Sequence, residues 1–233
     1  MGKKEQKQFP LDSKENCCIY LLRIITTAEK CFIKLKRYNS QAKEILDKYE
    51  STVPYDVYSE FVDKTSGVIS YLLNIIGDSQ EKSISYFKYR KKARRLMDNQ
   101  VDNVIIAEFS NEIQELLMDF NKMRNWYNHI PESLLITEQD LIKQGKAYEQ
   151  RHNPIELYLY HDVTYEYFND LYNKNIEFYK VARELIHAAK IDYSYLIGES
   201  ITVERKYLDD PIRINQLDIA KKSAKVQGIK GHK

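Results

Sequence analysis

Apolar residues recur along this chain at three- and four-residue intervals over long stretches, which is the period of an α-helix. From a cap at Asp12 or Ser13, the positions Cys17, Leu21, Ile24, Ile25, Ala28, Phe32 and Leu35 share one face. That pattern runs through Ile45 and Leu46 to about Tyr49, and Pro54 then marks a break. A second helix carries Phe61, Val62, Val68, Ile69, Leu72, Leu73 and Ile76 inward; it ends at Gly77, with Asp78-Ser79 as a fresh cap. The cleanest stripe is Ile105, Phe109, Ile113, Leu116, Phe120, Met123 and Tyr127, which predicts one helix over 102–128 closed by Pro131. A short polar helix is expected over 137–150, and a tyrosine-rich helix over 155–190 with Tyr165, Phe168, Tyr172, Ile176 and Tyr179 inward. Residues 201–208 read as a short strand or hairpin arm, and no internal repeat is evident.

Composition narrows the architecture further. Seven Gly and five Pro in 233 residues are too few to turn the chain back and forth as an all-β fold requires. No Gly-x-Gly or Gly-Lys-Ser/Thr loop is present to cradle a dinucleotide or triphosphate. The expected fold is all-α: a bundle of about five helices over 13–197, with a flexible segment at 1–12. Residues 198–233 form a less regular extension whose Lys221, Lys222, Lys225, Lys230 and Lys233 make a basic tail. Cys17, Cys18 and Cys31 are odd in number and lack metal spacing, so they read as buried thiols of a reducing compartment. The run 17–25 is interrupted by Arg23 and is far shorter than the roughly 20 residues of a membrane span. The expectation is a cytoplasmic protein with no membrane partner, no cofactor and no metal ligand set.

Net charge is only +2, so a polyanion must be met by a local patch rather than a global field. Lys88, Arg90, Lys91, Lys92, Arg94 and Arg95 form such a patch, interleaved with Tyr86, Phe87 and Tyr89. Cations for phosphates beside flat faces for bases are what an RNA-facing helix presents, whereas a solvated helix face would need acidic partners elsewhere.

The residues that stand out chemically are Arg124-Asn125-Trp126-Tyr127-Asn128-His129. At about 100° per residue, Arg124 lies roughly 40° from Phe120, on the inward side of its helix. A guanidinium placed there is costly unless it is paired or lines a site. Imidazole titrates near neutrality and can take a proton from a ribose 2′-hydroxyl or return one to the leaving oxygen. Arginine can clamp the phosphate and stabilise its developing charge, with Asn125 orienting the histidine or holding a phosphate oxygen. His161, Asp162 and Glu166 read as surface polar residues, His152 as exposed, and His187 as a partly buried histidine.

Arg124-Asn125-x-x-x-His129 resembles the Arg-(Asn/His/Asp)-x-x-x-His form of the motif found in HEPN-domain ribonucleases, all-α proteins of toxin–antitoxin, abortive-infection and antiviral defence systems. The resemblance implies a metal-independent endoribonuclease with Arg124 and His129 as the catalytic pair and Asn125 as an accessory polar residue. It also implies a homodimer in which two motifs face each other, and it admits a protein antitoxin as partner. The alternative is a non-catalytic helical interaction module that binds nucleic acid or protein. In that reading Arg124 pairs with a core carboxylate and His129 ends a helix.

Overall fold

The computed structural model describes residues 8–129, 132–146, 154, 157–209, 212 and 215–227. Among them are seven α-helices: α1 (Lys14–Lys48), α2 (Tyr55–Gly77), α3 (Tyr86–Asp98), α4 (Asn111–Tyr127), α5 (Glu132–Lys143), α6 (Tyr165–Ile197) and α7 (Asn215–Val226). Two three-residue strands, β1 (Thr52–Pro54) and β2 (Asp162–Thr164), complete the regular structure. The fold is all-α, and α1, α2, α3, α4 and α6 form its bundle.

α1 starts where Ser13 Oγ accepts the Asn16 amide, and the Asp102 carboxylate accepts the Lys14 amide at 2.7 Å. A carboxylate at this end satisfies an orphan N–H and meets the positive pole of the helix dipole. The inward face of α1 (Cys17, Leu21, Ile24, Ala28 and Leu35) is fully buried against Leu72, Leu73 and Ile76 of α2 and Leu185, Ile186 and Ala189 of α6. Cys17 and Cys31 are buried and Cys18 is half-buried; all three are free thiols. Burial pushes the Cys17 thiol up to about 11.

Where α4 crosses the end of α2, Gly77 is required by close approach. A Cβ at this position would meet the Phe120 carbonyl oxygen at 2.5 Å, and the Asn121 side-chain amide donates to the Gly77 carbonyl at 2.6 Å. Two backbones so placed cannot yield to a methyl group. Gly77→Ala is therefore expected to destabilise the fold by about 1–3 kcal/mol, the cost of overpacking, as read from urea midpoints.

The ladder of β1 and β2 was not expected from the sequence. The strands are antiparallel, with Thr52 opposite Thr164, Val53 opposite Val163 and Pro54 opposite Asp162. Each strand leads directly into a helix, and Phe61 and Phe168 from those two helices meet at 5.4 Å beneath it. The helix expected from residue 155 therefore begins only at Tyr165, capped by Thr164 Oγ1 on the Tyr167 amide.

Further expectations are corrected. The helix expected from residue 102 begins at Asn111; before it, a 3-10 turn at Val101–Asn103 carries Asp102 and Asn103 at positive φ, and 104–110 is irregular. Tertiary polar contacts outweigh the local period there, since the Ala107 amide and carbonyl bond to Asp192 and Arg90. Within α4 the buried residues are Leu117, Phe120 and Arg124, whereas Ile105, Met123 and Tyr127 are exposed. Residues 201–208 have no regular structure and pair with no strand among the described residues. Lys221, Lys222 and Lys225 of the basic tail lie on α7 rather than on irregular chain, and Lys230 and Lys233 fall outside the described residues. The expected helix at 137–150 lies at Glu132–Lys143, and positions 147–150 fall outside the described residues. Neither α5 nor the described side chains of α7 are buried. No helix among the described residues is long and apolar enough to cross a membrane.

The tyrosines give the fold an alkaline limit. Burial pushes Tyr20 and Tyr58 up to about 12 and raises Tyr86 well above its ordinary value. In the unfolded chain these groups ionise near 10, so above that pH only the unfolded state releases their protons. The folded pKa values are the higher ones, so the stability they contribute is present below pH 10 and is lost as pH rises toward 12. Urea midpoints are expected to fall steadily over this window while tyrosinate absorbance appears late; midpoints unchanged across it would contradict the burial argument.

Candidate functional site

Arg124 sits one turn before the end of α4 and is buried. Its guanidinium turns into the end of α2: Nε donates to Asn74 Oδ1 at 3.0 Å, Nη2 to Asp78 Oδ2 at 3.1 Å, and Nη1 to Asn125 Oδ1 at 3.1 Å. With Asp78 it forms an ion pair whose side chains are 9% and 7% exposed, so both charges are largely withdrawn from water. Among the described residues three of its five guanidinium N–H groups find an acceptor, and the other two are left for a ligand.

α2 supplies the partners at four-residue intervals. Ser70 Oγ donates to Asn128 Oδ1 at 2.6 Å, Asn74 Oδ1 also accepts from Asn128 Nδ2 at 3.0 Å, and Asp78 follows one turn on. Arg124 and Asn128, themselves four apart on α4, thus close a polar seam along α2. Asp78 is not the helix-start cap expected from the sequence, since α3 begins at Tyr86 with Ser85 as its cap. It is the C-cap of α2, its Oδ1 accepts the Gln80 amide, and its carbonyl accepts from Ser85 Oγ, which caps α3.

His129 lies just past the Asn128 cap of α4 and is exposed. No hydrogen bond or ion pair joins it to Arg124 or to any other described residue. Asn125 is exposed and holds the arginine rather than the histidine. Met123, Trp126 and Tyr127 are exposed on the same two turns. Sequence reasoning missed Ser70, Asn74, Asp78 and Asn128. The regular four-residue spacing of the first three was their only signal, and it points inward only once α4 is docked.

The basic segment divides into two faces. Tyr86 and Tyr89 are fully buried, stacked 6.2 Å apart, and Phe87 packs against the core, so these rings are not available to bases. Arg90 also turns inward, to Asp192 at 2.8 Å and over the Phe109 ring at 4.3 Å, and is removed from the expected RNA-facing set. Lys88 is half-buried and donates to the carbonyls of Glu81 and Ser83; burial and the neighbouring Lys92 charge hold its ammonium below the ordinary value. Lys91, Lys92, Arg94 and Arg95 are exposed, with no carboxylate partner among the described residues. A second basic cluster, not singled out from the sequence, lines a cavity of about 310 Å³ between α1 and α6, where Lys36, Arg37, Arg183 and Arg205 converge.

Of the other histidines, His161 and His187 are exposed, the latter against its expected partial burial, and His152 lies outside the described residues. Asp162 and Glu166 are exposed. Among the described residues, no group of three or more His, Cys, Asp or Glu side chains is placed to hold a metal ion. Comparison of the chain with protein-family models, with curated proteins and with solved structures finds no match.

Proposed function

We propose that this chain is a metal-independent endoribonuclease of the HEPN type, acting in a bacterial defence or toxin system through Arg124 and His129. The observation that supports the reading is an exposed imidazole with no partner among the described residues, just past a helix end whose last turn fixes a guanidinium with two donors that no described residue uses. His129 takes the proton of a ribose 2′-hydroxyl, the O2′–P bond forms, and the P–O5′ bond breaks. The products are a 2′,3′-cyclic phosphate and a 5′-hydroxyl. Arg124, held by Asn74 and Asp78, donates to the phosphate oxygens as their charge builds. One subunit offers one imidazole, whereas the reaction needs an acid as well as a base. A second copy related by a two-fold axis supplies the other, and Met123, Trp126 and Tyr127 give it apolar surface beside the motif. A protein antitoxin as a further partner belongs to the same proposal.

The test is incubation of the purified protein with tRNA and rRNA in EDTA. Cleavage that persists in chelator and leaves cyclic phosphate ends is expected. Cleavage abolished by EDTA would overturn the mechanism. Sedimentation at micromolar concentration should show a dimer, and a fully active monomer would remove the composite site.

A second reading is favoured by the Arg124–Asp78 pair itself. An arginine already neutralised by a buried carboxylate has a sufficient structural reason to be there. The chain would then be a helical interaction module that binds nucleic acid through its exposed basic face without cutting it. Both readings place RNA on Lys91, Lys92, Arg94 and Arg95. Replacing Arg94 and Arg95 with Glu is expected to weaken RNA binding and flatten its salt dependence, by about one released counterion for each phosphate that is no longer neutralised. An unchanged salt slope would return this face to plain solvation.

A further inference from the structure

The β1–β2 ladder gathers tyrosines at one edge of the bundle, away from the arginine seam. Tyr55 and Tyr58 come from the first turns of α2, Tyr167 from the first turn of α6, and Tyr160 from the segment entering β2. Their ring centroids form a connected chain: Tyr160 to Tyr55 at 6.5 Å, Tyr55 to Tyr58 at 5.6 Å, and Tyr58 to Tyr167 at 5.7 Å with the last pair edge-on. The four rings line a cavity of about 440 Å³ together with Asp162, Val163 and Thr164. The ladder explains the gathering, because the residues after Val53 and Val163 run Pro-Tyr-Asp-Val-Tyr and Thr-Tyr-Glu-Tyr-Phe, two similar helix starts brought side by side.

The charge around these rings is predominantly negative. A neighbouring cavity of about 650 Å³ shares Tyr55 and Tyr160 and is rimmed by Asp56 and Asp63. Asp56, Asp63 and Asp162 have no ion-pair partner among the described residues. Lys64, the lysine of this rim, is already paired with Glu60 at 2.5 Å, and His161 is the remaining titratable group there. Aromatic faces carry negative quadrupole density and attract cations placed over them. Uncompensated carboxylates add to that field and repel a phosphate. A bare ammonium is strongly hydrated and gives up its water reluctantly. A methylated ammonium presents apolar surface to the rings while keeping its charge.

We propose that this tyrosine-lined cavity binds a methylated organic ammonium, carried either by a small quaternary amine or by a trimethyllysine side chain of a protein tail. The site stands apart from the ribonuclease reading and does not rest on it. Choline, an acetylated trimethyllysine amide and the neutral tert-butyl isostere of choline should be titrated into the full chain, following tyrosine ring resonances. Saturable binding of the cations is expected, with the isostere at least about tenfold weaker. Tyr160→Leu and Tyr167→Leu are each expected to weaken binding about two- to fivefold, the range for one exposed ring. Both side chains are more than half exposed, so neither change disturbs the fold. Asp162→Asn should weaken the cations and leave the isostere unaffected. Tighter binding of the lysine derivative than of choline assigns a protein tail, and the reverse order assigns a free amine. No saturation, equal affinity for the neutral isostere, or unchanged affinity in both tyrosine variants would overturn the proposal.

Discussion

Replacing Asp192 with alanine is expected to destabilise the folded chain by about 3–5 kcal/mol, the cost of breaking a buried ion pair from one side. Asp192 lies on α6 with no exposed surface and is the acceptor for three groups at once, two on α3 and one in the irregular segment before α4. Its Oδ2 accepts the Tyr86 hydroxyl at 2.8 Å, and its Oδ1 accepts Arg90 Nη1 at 2.8 Å and the Ala107 amide at 2.9 Å. Burial raises the pKa of this carboxyl, and the opposing pull of Arg90 and the hydrogen bonds does not cancel the rise. The pair is thus a specifying contact more than a source of net stability. Truncation nevertheless leaves a guanidinium 13% exposed, a buried phenol and a buried amide without their acceptor. Glu29→Ala, which removes a partner of Lys190 that keeps 22% of its side chain exposed, should cost less, about 1 kcal/mol. Urea melts of the two variants against the parent decide the point. Equal midpoints for Asp192→Ala and the parent would show that the α3–α6 junction is held by apolar packing alone.

His129→Ala is expected to lower RNA cleavage by about 10²–10⁴-fold, the range for loss of a general acid or base, with stability unchanged. The second half of that statement comes from the structure, since His129 is exposed and bonded to no described residue. Arg124→Ala cannot separate the two readings, because it strands the buried Asp78 and costs stability whatever the chemistry. Single-turnover rates alongside thermal melts of the His129 variant give the separation. A stable variant with undiminished cleavage would remove the histidine from the reaction.

Much of the bundle was legible in the order of residues because burial imposes a period. The stripe Cys17, Leu21, Ile24, Ala28 and Leu35 could face only one way on a helix, and it lies in the core. Ser13 as a start follows from local capping chemistry, as does the end of α4 before Pro131, whereas Gly77 ends α2 with Asp78 as the cap and is required by the approach of α4. The burial of Arg124 was legible too, as an angle from Phe120.

What escaped was every feature decided by a partner distant in sequence. Residues 104–110 carry a helical stripe, yet Asp192, 85 positions from Ala107, takes a backbone amide that a helix would have used. Arg90 and Tyr86 looked like RNA ligands because the carboxylate they face lies on α6, about a hundred residues away. β1 and β2 are too short to show a period, and only mutual pairing across more than a hundred positions makes them strands. The sequence by itself determined the all-α class and the buried faces of α1 and α2, since periodicity is a local property and burial rewards it directly. Which polar groups those faces would meet, Asp78 for Arg124 and Asp192 for Arg90, was decided only by how the helices dock. A buried charge is tolerated only where another element supplies its counter-charge, and local pattern does not encode which element that is.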